Sequence, residues 1–465
     1  MLHPQYFRRI AAHGLGNPRS RVAHACALFE GCLYLGVTHP NGDGPQDCAR
    51  ILRYHFAEDR WEPVYQSPLI HPDHRAHARD VLRARRAPRK LHPDGVPRER
   101  GFRGMVVFQG RSDAKPTLYV STISNWGGLI LRSADGRNFE VVSAPGLGDD
   151  RLLSFRALIP LEGKLFTTPI GSVVGDTLDR NNTIRPTVFV SDDPANGVWR
   201  QASLDGMGDA RNQVIFQMAA FGSWLYAGTG NPERGCELWK TDARGQPPYR
   251  WRKVLERGGY RYNLNESVTA MTPFGDALYV GTGLPGLGYD RAHDVGPAAA
   301  ELLRIYPDDA WELVVGEPRF SPQGLQAPLS AMGPGFDDPY NSVFWRMAVY
   351  DGWLYVGTHQ WQAYDSLLHQ NEIPRGGFQL WATPDGQRWR PVTLDGLANP
   401  FAVGVRTLVP TPHGLVLGTD DHSLLKQRAQ RRRNEPVANP DASGLEVWLG
   451  RDPSRRSPPT CGGYG

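Results

Sequence analysis

Residues 13–20 read HGLGNPRS. Segments of the same kind occur later: PGLGDDRL from Pro145, DGMGDARN from Asp205, DGLANPFA from Asp395 and, more loosely, GPGFDDPYN from Gly333. A connector that joins one unit to the next inside the chain therefore also stands near its N-terminus. Self-similarity at a regular period takes precedence over length as a guide to architecture. The flanks of HGLGNPRS extend the match: YFRRIAAHGLGNPRSRVAHACALF aligns with VWRQASLDGMGDARNQVIFQMAAF. Each reads as strand, connector, strand.

The clearest unit starts at Val343 with VFWRMAVYDG, WLYVGTHQ, GFQLWATPDG and QRWRPVTLDG. These are four short strands rich in Val, Tyr, Trp and Thr, with Asp-Gly turns suited to tight hairpins. The second strand recurs as CLYLGVT, TLYVSTI, KLFTTPI, WLYAGTG, ALYVGTG, WLYVGTH and GLVLGTD, which makes seven units. The fourth strand recurs only six times, because the chain leaves the pattern after LEVWLG. Residues 6–12 supply the missing one. The expected fold is all-β: a seven-bladed β-propeller with four-stranded blades, closed by an N-terminal strand that completes the last blade. It is expected to occupy residues 1–450 as one domain, followed by a flexible tail over 451–465.

Bulk properties agree. The chain has 465 residues, and its 52 glycines and 39 prolines favour many turns over long helices. No apolar run reaches the ~20 residues of a membrane span, and the N-terminus does not read as a secretory signal. Five cysteines without C-x-x-C spacing indicate neither a disulfide framework nor a zinc site, so a reducing cytoplasm is the expected compartment. Lysine is rare against arginine, as in a GC-rich bacterial genome.

The blade pattern resembles β-propellers of the kelch and Asp-box kind, and SADGRNF from Ser133 and TPDGQRW from Thr383 are similar to Asp-box turns. A second resemblance, in LYVGT followed by ELW and DG-x-x-W, is to the propeller domain of cyanobacterial enzymes that alkylate phenolic rings. It implies alkylation or another group transfer on a small phenol.

The first-to-second and third-to-fourth strand turns are short, whereas the other two classes of connection carry the insertions. These long connections share one face of a propeller. Residues 66–100 carry nine basic against four acidic residues, and 422–435 five against one. Insertions on one face of a repeat fold mark a binding side, and local basicity suits an anionic ligand or an acidic protein partner.

Aligning the first strands on Met347 places a ring two residues earlier: His24, Arg103, Arg156, Phe216, Thr269, Trp345 and Arg406. Arginine forks bind carboxylate, sulfate or phosphate, and histidine near neutral pH serves as a base. The expected catalytic residues are His24, Glu266 and Asp338. The expected substrate contacts are Arg103, Arg156, Arg406, Phe216, Trp345, Tyr340, Asn341, Tyr289, Trp361 and Tyr364, with His369 nearby. No cofactor or metal is called for. His71, His74 and His77 fall at three-residue spacing in an expected helix, Asp73 to Ala87, and read as surface histidines.

Three functions fit this reading. One is an enzyme acting on a small phenolic, aromatic or anionic substrate in secondary metabolism. Another is a non-catalytic scaffold whose basic face docks a protein. The last is a sialidase-like glycosidase. Neither nucleic acid nor membrane is an expected partner, because the basic inserts lack interleaved aromatics and no span exists.

Overall fold

The structure is a computed structural model that describes residues 1–39, 44–71, 92–174, 177–179, 182–368, 375–424 and 443–454. Much of the two basic insertions, the expected helix Asp73 to Ala87 with His74 and His77, His369, and residues 455–465 lie outside the described residues.

The chain is all-β and propeller-like, built from four-stranded antiparallel units. The first unit pairs Val22–Phe29 with Cys32–Thr38, then Arg50–His55, then Arg60–Gln66. Units of the same order start at Gly101–Phe108, Phe155–Leu161, Val214–Phe221, Ser267–Phe274 and Asn341–Tyr350. The fourth strand is reduced to Glu140–Val141 in one unit and Arg200–Gln201 in the next. The last unit pairs Ala402–Thr411, Gly414–Asp421 and Val447–Gly450. Its fourth strand is Phe7–Ala11, which runs antiparallel to Val447–Gly450 from the other end of the chain.

The connector HGLGNPRS behaves as its relatives do. Gly14 and Leu15 both have left-handed backbone, like Gly146 and Leu147 or Gly206 and Met207. In each, the first of the pair donates its N–H to the carbonyl that starts a third strand or the loop before it: Gly14 to Leu445, Gly146 to Gly128, Gly206 to Pro186. The N-terminal connector thus joins the last unit, through Gly14 and Leu445, to the first, where Arg50 donates to the Gly14 and Leu15 carbonyls.

The LYVGT motif has a packing cause. A Cβ on Gly357 would lie 2.5 Å from Cβ of Val405 in the following unit. One on Gly418, in the last unit, would lie 2.6 Å from Cβ of Ala23 in the first. Only hydrogen fits where neighbouring units approach so closely. The core lies between these units: Ala23, Leu33 and Leu35 pack with Val416, Val447 and Leu449. Fully burying each such aliphatic side chain contributes about 1.5–3 kcal/mol.

The Asp-box turns are structural. Asp135 Oδ1 accepts N–H groups from Arg137 and Asn138, and Asp385 Oδ1 those of Gln387 and Arg388. These bonds to the charged form hold both carboxyls below the ordinary carboxylate range, against desolvation.

The long connections form small local structures. Leu69–Ile70 pairs with Val96–Pro97, Ser172–Val174 with Thr177–Asp179, and Arg319–Ser321 with Gly324–Gln326. A short helix, Gln362–Leu368, follows the second strand of the unit that starts at Asn341. Among the described residues, no helix is long and apolar enough to cross a membrane.

Candidate functional site

The seven first strands touch their neighbours in the order of their units, and the strand Ala402–Thr411 also touches Val22–Phe29. Every one of these strands carries a β-bulge. Register against the second strand shifts between Ala23 and Ala25, Phe102 and Met105, Phe155 and Leu158, Ile215 and Gln217, Val268 and Ala270, Phe344 and Arg346, and Val405 and Thr407. The skipped positions hold His24, Arg103, Arg156, Phe216, Thr269, Trp345 and Arg406. A bulge leaves its extra residue unpaired and re-aims the side chain. Each unit therefore contributes one of these seven residues from a bulge, which in two units also takes in Gly104 or Ala157.

Several of these side chains meet. The Arg156 guanidinium lies 3.8 Å from the centroid of Phe216 and 5.8 Å from that of Trp345. The Arg406 guanidinium lies 4.1 Å from Trp345. Arg346, the residue after the Trp345 bulge, donates Nε–H to the Arg406 carbonyl and Nη1–H to that of Trp345. Thr269 is tied down, its hydroxyl donating to the Phe344 carbonyl at 2.7 Å.

Charge dominates this cluster. Burial lowers His24 well below its usual value, and Arg406, Arg103, Arg346 and Arg156 push it further. Its imidazole, 6% exposed, is neutral at physiological pH, and Nδ1 is buried without a hydrogen-bond partner. Arg156, 7% exposed, is lowered by burial and by Arg103, Arg346 and Arg406. Its Nε and Nη2 are buried without hydrogen-bond partners. Burial and Arg406 bring Arg346 down to about 9.

Beside the arginines stands a group that the sequence reading missed. Arg406 Nε is 2.9 Å from Asp420 Oδ2, an ion pair whose N–H points off the hydrogen-bond line. Asp420 Oδ1 is 3.2 Å from His422 Nε2, and His422 Nδ1 meets the Tyr364 hydroxyl. His359 completes the group, its ring 5.4 Å from Trp345. Burial would raise Asp420, but Arg406 and the two histidines hold it well below the carboxylate range. Burial holds His359 down at about 3. A signal existed: His359 and Asp420 each follow the Gly-Thr that ends the second strand's repeat, in adjacent units. Strict alternation puts Arg346 on the face opposite Trp345, and the bulge at Trp345 interrupts that alternation.

The other expected residues divide. Tyr364 joins the cluster through His422. Tyr340 donates to Asp365 at 2.8 Å and packs edge-on against Trp361, whose Nε1 is buried without a hydrogen-bond partner. Asn341 is fully buried and donates to the Gly335 carbonyl and to Gln379 Oε1. Asp338 accepts from Gln379 at 2.6 Å and from the Tyr340 N–H. Both serve the connector that precedes the strand Asn341–Tyr350. Tyr289 donates to Asp294 within its own loop. Glu266 is pushed up to about 8 by burial and by Asp290, so its electrostatic neighbour is that loop, whereas the groups acting on His24 are the arginines.

A separate cavity of about 580 Å³ is lined by Pro4, Thr393, Leu394, Asp395, Leu397 and Trp448 among others, and shares no residue with the arginine cluster.

No family model matches this sequence, and no curated protein matches it. Among solved structures, the chain is similar to a puromycin hydrolase S511A mutant complexed with PGG, at 12% identity and a TM-score of 0.47 over 88% of this chain and 51% of that one. A puromycin-hydrolyzing peptidase of Mycobacterium tuberculosis is 12% identical, with a TM-score of 0.45 over 90% of this chain and 53% of that one. A GH74 xyloglucanase from Xanthomonas campestris is 16% identical, with a TM-score of 0.42 over 83% and 46%. The chain spans about half the length of these proteins, and likeness at this level says nothing about activity.

Proposed function

We propose that the units form one closed seven-bladed β-propeller and that its centre binds a small aromatic anion, on which the protein acts as an acid–base enzyme. One observation carries the reading: Arg156 is a buried cation stacked on Phe216 with two nitrogens unpartnered. An arginine does not escape such a site by losing its proton. It is relieved by an anion, and a carboxylate, phenolate or phosphate fits its fork. Phe216 and Trp345, edge-on to each other and each under a guanidinium, make the surroundings of that fork aromatic, which suits an aromatic anion.

The neutral His24, with Nδ1 unpartnered, is the candidate proton acceptor; the four arginines that keep it neutral also favour the substrate's anionic form, and an anion bound among them offsets their opposition to its protonation. A phenol deprotonated in such a field is a nucleophile suited to group transfer, alkylation included.

Calorimetric titration with 4-hydroxybenzoate tests the binding. Saturable binding is expected, weakened about tenfold or more in Arg156→Met, as follows from losing a charge-assisted contact. Equal affinity in that variant, or equal binding of neutral 4-hydroxybenzamide, sinks the reading.

A further inference from the structure

We propose that His359, Asp420 and His422 form a binding site for one divalent first-row transition cation, beside Arg406 and Trp345. Each of the three offers a donor atom, and these atoms all lie within 4.8 Å of one another. Asp420 Oδ1 and His422 Nε2 are 3.2 Å apart. Two metal bonds of about 2.1 Å at a right angle set their donors about 3.0 Å apart, so this edge needs little adjustment.

Asp420 and His422 have the outer contacts a metal site needs. Asp420 turns its other oxygen to Arg406. With Nε2 of His422 on the cation, its Nδ1–H is free to donate to the Tyr364 oxygen, which fixes tautomer and ring orientation. His359 is 8% exposed, and its Nδ1 is buried without a hydrogen-bond partner. A buried imidazole nitrogen left in that state is costly, and a bound cation removes the cost.

The backbone makes room for it. His359 pairs with Gly404 of the next unit, and a Cβ there would lie 2.9 Å from His359 Cδ2. Asp420 pairs with Val22, two residues before His24. The three ligands thus sit where two inter-unit seams open toward the bulge residues.

Two imidazoles and one carboxylate select iron, manganese, cobalt or zinc over calcium or magnesium, which prefer all-oxygen shells. Three protein donors also leave coordination positions open. The competing account is a metal-free Asp–His–Tyr hydrogen-bonded relay, which needs no role for His359.

The test is titration of the full-length chain with Co²⁺, followed by visible absorption and by calorimetry. One equivalent per chain is expected, with the spectrum of a nitrogen- and oxygen-ligated ion. His359→Ala and His422→Ala should each abolish stoichiometric binding, and Tyr364→Phe should weaken it by about tenfold or more, as loss of an outer partner does. His359→Asn serves if the alanine variant does not fold, as judged by circular dichroism. Arg156→Met should bind Co²⁺ as the parent does, so loss of aromatic-anion binding and loss of metal binding are separate results. Absence of stoichiometric binding, or binding that survives both histidine substitutions, overturns the site.

Discussion

The Arg156 guanidinium stands 3.8 Å over the ring of Phe216, although the two residues belong to different units. Both occupy β-bulges in first strands. The bulge is what turns a row of strand residues into a convergent set, since unpaired residues are free of the sheet's alternation. Trp345, on another bulge, meets the Phe216 ring edge-on at 6.5 Å.

Arg156 is expected to cost stability rather than supply it. Its stacking on Phe216 contributes about 2 kcal/mol when desolvated, while an unpaired buried cation costs several. Arg156→Met should leave the thermal midpoint unchanged or raise it. A fall of several degrees in scanning calorimetry would show that the arginine holds the fold.

The seam between last and first units should behave like any other. Gly357→Ala forces a Cβ to 2.5 Å from Val405 of the next unit, and Gly418→Ala forces one to 2.3 Å from Thr407 of its own unit and 2.6 Å from Ala23 of the first. Each should lose about 1–3 kcal/mol in denaturant unfolding, the usual cost of overpacking. A silent Gly418→Ala beside a damaging Gly357→Ala would argue that the ends do not pack as a seam.

Deleting residues 1–12 removes the strand Phe7–Ala11, the Arg9–Glu446 ion pair and the Ile10 carbonyl that accepts from Trp61. It bares the edge of Val447–Gly450, and bare edges recruit other chains. Lower stability and concentration-dependent association are expected in light scattering. A monomer as stable as the parent would refute closure by this strand.

Glu266 makes stability pH-dependent. Its carboxyl is raised from an ordinary 4.5 to about 8 in the folded chain. Below 4.5 both states hold the proton. Between 4.5 and about 8 the unfolded chain has ionised and the folded chain has not, so stability falls as pH rises. Glu266→Gln should match the parent at pH 4.5 and exceed it at pH 8. Equal stability at both pH values would place Glu266 in a wetter setting than its burial and Asp290 imply.

The unit was legible because its causes are local. Asp-Gly turns, alternating Val and Tyr, and the glycine where units touch recur in the chain as visible spellings. The glycine-rich connector carried most: Gly14 donates to Leu445 at 3.1 Å, as its spelling in HGLGNPRS leads one to expect. The ring of His24, Arg103, Arg156, Phe216, Thr269, Trp345 and Arg406 could be lined up by counting back from Met347, because every first strand carries its bulge at the same place.

The sequence alone did not separate the residues around that ring by role. Asp338 and Asn341 have the composition of a site but serve a connector, through Gln379 and Gly335. Glu266 answers to Asp290. His359, Asp420 and His422 come from two units and meet only when those units pack side by side. What the sequence determined by itself was the four-stranded unit, its repetition and the partner of the N-terminal strand, because these depend on pairing and turns within short spans. The tertiary structure alone decided which polar groups are buried, which find partners and which are left to a ligand. Desolvation and charge coupling depend on what stands across a seam, and no local pattern records that.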